Sequence, residues 1–162
     1  MVSNRISQEQ MDWARVKADE YYADTTGRNR PDGTAYSWTD MYLGFLGEWW
    51  CYIGWGQALP THVVSWSYDI VLDDKNDEEK KYNIKTSCYN NININIDQDK
   101  RHCENYIGVR IFGDKNNIKI GDKMMLLGTL EHTKILHNNN NWKRTKDGSN
   151  YWAIPHTAFR KL

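Results

Sequence analysis

Asp69-Ile70-Val71-Leu72, the charged run Asp73-Asp74-Lys75-Asn76-Asp77-Glu78-Glu79, and Tyr82-Asn83-Ile84-Lys85-Thr86-Ser87 follow one another along the chain. Two β-prone segments around a short polar turn spell a hairpin, with strands expected over 63–72 and 81–88. Centring the turn on Asn76 sets Asp69 opposite Asn83. Directly paired residues share a side of the sheet, and neighbours along a strand alternate. Asp69, Asn83 and Lys85 then project from one face, and Ile70, Leu72 and Ile84 from the other. A slip of one residue would bury the lysine and expose the isoleucines, so burial favours this register.

Two helices are expected before the hairpin. Ser7 with Gln10 reads as a capping box, and Ile6 with Met11 as a hydrophobic staple. Met11, Ala14, Ala18 and Tyr21 continue at helical spacing until about Asp24. Gly27, Pro31 and Gly33 mark a loop. A second helix is expected from Ser37 or Thr39 to about Trp55. Met41, Tyr42, Phe45, Leu46, Trp49, Trp50 and Ile53 make it apolar over most of its girth, as in a helix buried on several sides. After the hairpin, Ile92, Ile94 and Ile96 alternate with Asn91, Asn93 and Asn95, which suits a strand or an Asn-rich loop. Strands are also expected over 106–112 and 123–130, with a further one over 131–136. Trp152, Ile154 and Phe159 should pack down on the rest. The order α, α, then mostly β predicts an α+β fold.

The chain has 162 residues, 40% of them hydrophobic and 13% aromatic, which excludes global disorder and suits one domain over 1–162. No stretch approaches the ~20 apolar residues of a membrane helix, and no signal peptide is expected at the polar N-terminus. The 3 cysteines, an odd and dispersed set, fit reduced thiols in a cytosol better than a disulfide framework. Net charge is zero, yet residues 1–82 hold 8 Lys+Arg against 14 Asp+Glu (−6) and residues 83–162 hold 13 against 7 (+6). A basic half can meet a polyanion while an acidic half holds cations.

An aspartate, an amide and a lysine side by side have a chemical use. Oxygen ligands suit Mg²⁺, and a lysine can orient an attacking water or offset developing phosphate charge. Taken alone, such residues are the ordinary polar face of a surface strand. Glu48 changes the balance, because it is one acid in a helix packed with Phe45, Leu46, Trp49 and Trp50, and buried carboxylates are rare unless paired or metal-bound. Gly44 and Gly47 beside it each cost about 1 kcal/mol relative to Ala in a helix, so a close approach by another backbone or a phosphate is expected there.

The series Gly44-Phe45-Leu46-Gly47-Glu48, Asp69-Ile70-Val71-Leu72 and Tyr82-Asn83-Ile84-Lys85-Thr86-Ser87 resembles the PD-(D/E)XK nuclease superfamily. The resemblance covers roughly residues 40–112. It implies a restriction-endonuclease-like core, a mixed β-sheet flanked by helices, set within about 40–136. It further implies a metal-dependent endonuclease that hydrolyses phosphodiester bonds in DNA with Mg²⁺ or Mn²⁺. Carried over residue by residue, Asp69 resembles the bridging metal ligand, Lys85 the catalytic lysine, and Glu48 the helix glutamate that holds metal or its water. The Ile84 carbonyl would be a further ligand. Tyr68 stands where the family has proline, and Asn83 where it has an acid. The amide binds metal without charge, so metal binding should be weaker unless Glu48 or another acid such as Asp97 or Asp99 compensates. The alternative is a catalytically impaired nuclease-like fold that only binds nucleic acid or protein.

Lys100, Arg101, Trp142, Lys143, Arg144 and Lys146 are expected to form a nucleic-acid-binding rim, with the tryptophan stacking on a base. Cutting a defined duplex site would call for a homodimer. The small size fits an enzyme of a phage or mobile element. Cys88, His102 and Cys103 lack zinc-ligand spacing, and no P-loop or G-x-S-x-G stretch is present. Most of the 5 histidines, including His132, are expected in exposed places. A β-rich glycan binder is a further rival, drawn from the 8 Trp, 10 Tyr and abundant Asn, and it requires tryptophans exposed on one face.

Overall fold

Ser7 starts the first helix as its sequence expects: its hydroxyl accepts the N–H of Gln10 at 3.1 Å. The computed structural model describes residues 3–25, 27, 35, 37–61, 69–73, 78–95, 105–137, 143–144 and 151–160. Helix α1 (Gln8–Thr25) leads to α2 (Trp38–Gly54), which Ser37 caps by accepting the N–H of Asp40. The other arm of the expected capping box is not made. The Gln10 amide instead donates to the Leu46 carbonyl of α2 at 2.8 Å and meets Met124 Sδ at 3.0 Å. A side chain buried to that degree must be hydrogen-bonded inside the protein, so it turns away from the helix end.

The two helices pack through aromatic edges. Trp13 and Tyr21 of α1 stand edge-on to Phe45 of α2, with ring centroids 6.0 and 6.3 Å apart. Ala14 and Ala18 between them are fully buried and keep the approach close. Lys17, also buried, donates to the Thr61 carbonyl at 2.7 Å and to Glu20 at 2.8 Å, so its ammonium keeps partners out of water. The α2 surface is buried nearly all round, as expected, apart from the exposed Ile53.

Beneath the helices lies a five-stranded sheet of order β1-β6-β5-β3-β2, comprising β1 (Ser3–Arg5), β2 (Ile70–Asp73), β3 (Glu79–Ser87), β5 (Asn105–Phe112) and β6 (Lys123–Glu131). The hairpin register is the expected one, with Ile70 opposite Tyr82 and Val71 opposite Lys81. Strands β3 and β5 are parallel, and the other pairs are antiparallel. The chain between β3 and β5 passes through β4 (Asn91–Asn95), which pairs with β8 (Tyr151–Pro155) in a second sheet that also holds β7 (Lys143–Arg144). The alternating Ile/Asn run is therefore a strand from Asn91 to Asn95, with Ile92 and Ile94 buried and Ile96 outside the described residues. The protein is thus mixed α and β, consistent with the α+β expectation.

The large sheet is covered on both faces. Ile70, Ile84, Ile107, Val109, Ile111 and Met124 join the helices in one apolar cluster. Ile92, Ile94, Tyr106, Leu127, Leu130, Ile135, Ile154 and Phe159 form another on the opposite face. Two details differ from expectation. Residues 132–137 form a helix, α3 (His132–His137), rather than a strand. His132 and Ile135 are both buried, and a spacing of three puts both on one side of a helix but on opposite sides of a strand. His132 is buried rather than exposed because its Nδ1 meets the Tyr106 hydroxyl at 3.1 Å. No tryptophan is among the exposed large apolar residues of the described part, and Trp66 and Trp142 lie outside it. No helix is long and apolar enough to cross a membrane.

Gly47 sets the distance between α2 and β3. A Cβ there would fall 1.9 Å from Thr86 Oγ1 and 3.2 Å from Thr86 Cβ, so rotating the threonine cannot make room. The close approach at Gly47 is thus made by a β-strand side chain, not by the backbone or phosphate expected of the helix glycines. A Cβ on Gly44 would meet no described atom within 4 Å. Gly47→Ala is therefore expected to destabilise the protein by about 1–3 kcal/mol through overpacking. Gly44→Ala should stabilise it by about 0.5–1 kcal/mol through helix propensity. Urea denaturation of the two variants checks the opposite signs.

Candidate active site

Asp69 sits immediately before β2, where that strand parts from β3. Its N–H donates to the Tyr82 carbonyl at 2.9 Å, so Asp69 shares Tyr82 with Ile70 instead of standing opposite Asn83, as the hairpin reading expects. Its carboxylate then reaches past the end of the pairing: Oδ2 accepts the N–H of Ile84 at 2.6 Å. The carbonyl and N–H of one strand residue point to the same edge, and residues two apart share that edge. The Ile84 carbonyl therefore faces the gap that the Asp69 carboxylate occupies.

Helix α2 holds this corner from above. The Tyr52 hydroxyl donates a short hydrogen bond to the Asp69 carbonyl. Gln57, just past the helix, donates from Nε2 to the Val71 carbonyl at 2.7 Å. The Asp69 backbone is thus tied at both its N–H and its carbonyl, and its carboxylate is tied as well. Sequence reasoning missed Tyr52 and Gln57, although Tyr52 lies one turn after Glu48 and shares its helix face. That spacing was the available signal.

The same spacing carries Glu48 toward Asp69. The Glu48 carboxyl is held well above the ordinary carboxylate range, first by burial, then by the negative charge of Asp69, with the Lys85 ammonium pulling the other way. The residue keeps a little solvent contact, but its carboxyl lies amid protein, and the desolvation follows from that enclosure. Cys51 registers the same field: burial pushes its thiol up, and Glu48 and Asp69 push it further. Glu48 therefore lies within electrostatic reach of both Asp69 and Lys85.

Asn83 and Lys85 point to the sheet face opposite Ile84 and Thr86. In the parallel ladder they pair with Tyr106 and Gly108. The sequence reading treats this as the sheet's polar face, but the second apolar cluster covers part of it, and Asn83 is only 9% exposed. Lys85 is half-buried. Of the expected rim, Lys143 and Arg144 form β7 opposite Ala153 and Trp152. Lys100, Arg101, Trp142 and Lys146 lie outside the described residues, as do Asp97, Asp99, His102 and Cys103.

Near the strand gap lie the Asp69 carboxylate, the Ile84 backbone and, within electrostatic reach, the Glu48 carboxyl, oxygen donors of the kind hard divalent cations take. Among the described residues, no group of three or more His, Cys, Asp or Glu side chains is placed to hold a metal ion. The set has two acids and relies on neutral oxygens for the rest.

Burial and Asp69 favour the neutral form of Glu48 in the folded chain, so the folded state binds that proton more tightly than the unfolded one. The resulting stability is fully present below the unfolded carboxylate range and is lost as pH rises through the raised folded value. Glu48→Gln should remove this loss and be more stable than wild type at about pH 7 by on the order of 1 kcal/mol. Urea midpoints measured without divalent cations, from about pH 4 to about pH 8, should show the gap between the two proteins widening with pH. A constant gap would contradict the assignment.

The chain matches no family model, no curated protein and no solved structure.

Proposed function

We propose that the chain is a Mg²⁺-dependent deoxyribonuclease with a restriction-endonuclease-like core, as its resemblance to the PD-(D/E)XK nucleases implies. The observation that carries the reading is that Glu48 lies within electrostatic reach of both Asp69 and Lys85, with Asp69 fixed where β2 leaves β3. Burial and the nearby Asp69 charge raise the cost of ionising Glu48, and a cation beside them would offset it. The donor chemistry fits such an ion. Asp69, the Asn83 amide oxygen and the Ile84 carbonyl would hold it, with Glu48 on its water. Bound there, the metal supplies a Lewis acid that neutralises phosphate charge and makes a water molecule more acidic.

The remaining work falls to the chain's own groups. The hydrogen bonds from Tyr52 and Ile84 hold Asp69 in one orientation before substrate arrives, so no reorganisation is needed at that residue. Glu48, in its ionised form, orients the attacking water and accepts its proton. The Lys85 ammonium stabilises the negative charge that builds on the phosphate as the phosphodiester bond breaks.

Asn83 favours a second reading, a nuclease-like fold that binds nucleic acid or protein without cutting. It is nearly buried and uncharged where the family carries an acid. Cleavage assays on several DNA forms decide between the two. Wild type should cut only with Mg²⁺ or Mn²⁺, and Lys85→Ala should lose about 10²–10³-fold in rate with its fold intact. Equal cleavage by both proteins would remove Lys85 from the mechanism, and no metal-dependent cleavage by wild type would favour the binding fold. Asn83→Asp should tighten Mg²⁺ binding, read by calorimetry, while lowering stability without metal because a buried acid is added.

A further inference from the structure

The face that carries Lys85 continues beyond it into a row of cations. Directly paired residues share a face. In the parallel ladder Lys85 pairs with Gly108 and Ser87 with Arg110. In β5–β6 Phe112 pairs with Lys123, and in β1–β6 Lys123 pairs with Arg5. Arg110, Phe112, Lys123 and Arg5 thus follow Lys85 across one side of three strands, with Arg110 about 7 Å farther along β5 than the neighbour of Lys85. The second sheet closes this side only as far as Gly108, where a Cβ would lie 2.7 Å from Phe159 and 3.1 Å from Ile92. Past that point the surface opens, and Phe112 is 39% exposed.

Arg5 donates to the Gly121 carbonyl at 2.8 Å, and Arg110 and Lys123 gather on one aromatic ring. The Arg110 guanidinium lies 4.3 Å from the centre of the Phe112 ring, and Lys123 Nζ lies 5.6 Å from it. Lys17–Glu20, Lys115–Asp40 and Lys134–Glu131 pair away from this row. The acids nearest in sequence serve their own turn: Asp114 accepts the N–H of Asn116, and Asp122 that of Lys119. Arg110 Nε is buried without a hydrogen-bond partner, and so is Nε2 of His156, whose ring lies within the electrostatic reach of Arg110. Buried polar atoms left unpaired cost about 1–3 kcal/mol each. A ligand with anionic oxygens would satisfy the arginine and gain from every cation in the row.

We propose that Arg5, Lys123, Phe112, Arg110 and His156 form a docking strip for the phosphate backbone of DNA, leading the strand to Lys85. The proposal deepens the nuclease reading by naming the surface that holds the substrate, and its test separates the two. Binding of labelled single-stranded and duplex oligonucleotides to the full chain is measured in EDTA at several salt concentrations, alongside cleavage with Mg²⁺. Replacing both Arg110 and Lys123 with Gln should weaken binding at least about tenfold and reduce the slope of log affinity against log salt by about two. The pair Arg5→Gln with Lys123→Gln, both exposed, should reduce the slope similarly and guards against misfolding caused by loss of the partly buried arginine. Cleavage by wild type with unchanged affinity and salt slope in both double variants would overturn the strip and leave the nuclease reading standing. Salt-dependent binding that both variants weaken, without any cleavage, would support the strip and sink the nuclease reading. No DNA binding by wild type in EDTA would overturn the strip.

Discussion

Helix α2 rests directly on β3 because Gly47 presents a hydrogen where any other residue would drive a Cβ into Thr86. That approach brings the end of the helix within reach of the strand gap, and the rest of the corner depends on it. Tyr52 can then donate to the Asp69 carbonyl and Gln57 to the Val71 carbonyl, so the helix grips the short outer strand by its backbone. The next turn back carries Glu48 into the same enclosure. A helix held farther away by one methyl group would lose these hydrogen bonds and return the carboxyl to water. The glycine's conformational cost is the local expense of that geometry.

The charges at the corner work against one another by design of the fold. Desolvation and Asp69 both oppose a negative Glu48, while Lys85 favours it. An apolar residue at position 48 would remove the conflict, so the acid is not explained by packing. Sites where stability is sacrificed locally are where chemistry is most often found. Hydrogen bonds fix the Asp69 carboxylate at the same time, so the conflict does not dissolve into alternative rotamers.

Much of this was readable in advance, for a physical reason. The register of the hairpin follows from burying Ile70 and Ile84 together, and only one register does so. The helix α2 follows from an apolar surface too broad for anything but a buried helix. The suspicion attached to Glu48 follows from the same surface. What escaped were features set by long-range placement. β1 is three polar residues whose strand character exists only beside β6. The helix α3 depends on Tyr106 and Leu130 providing a floor for His132 and Ile135. The turned-in amide of Gln10 answers an acceptor on another helix, which no local pattern reveals. Arg110 carries no local signal, and only the pairing of three strands aligns it with Lys123 and Arg5.

The parallel pairing of β3 with β5 bears on how the chain assembles. Its two partners are separated by all of β4, and β4 is itself completed by β8 near the other end of the sequence. Contacts so distant along the chain require loops to close before they contribute, which slows folding relative to local pairing. On the ribosome, the helices and the hairpin can form while the segment that backs Asn83 and Lys85 has yet to emerge. The corner therefore acquires its final shape late in biogenesis, after the last strand has been threaded into place.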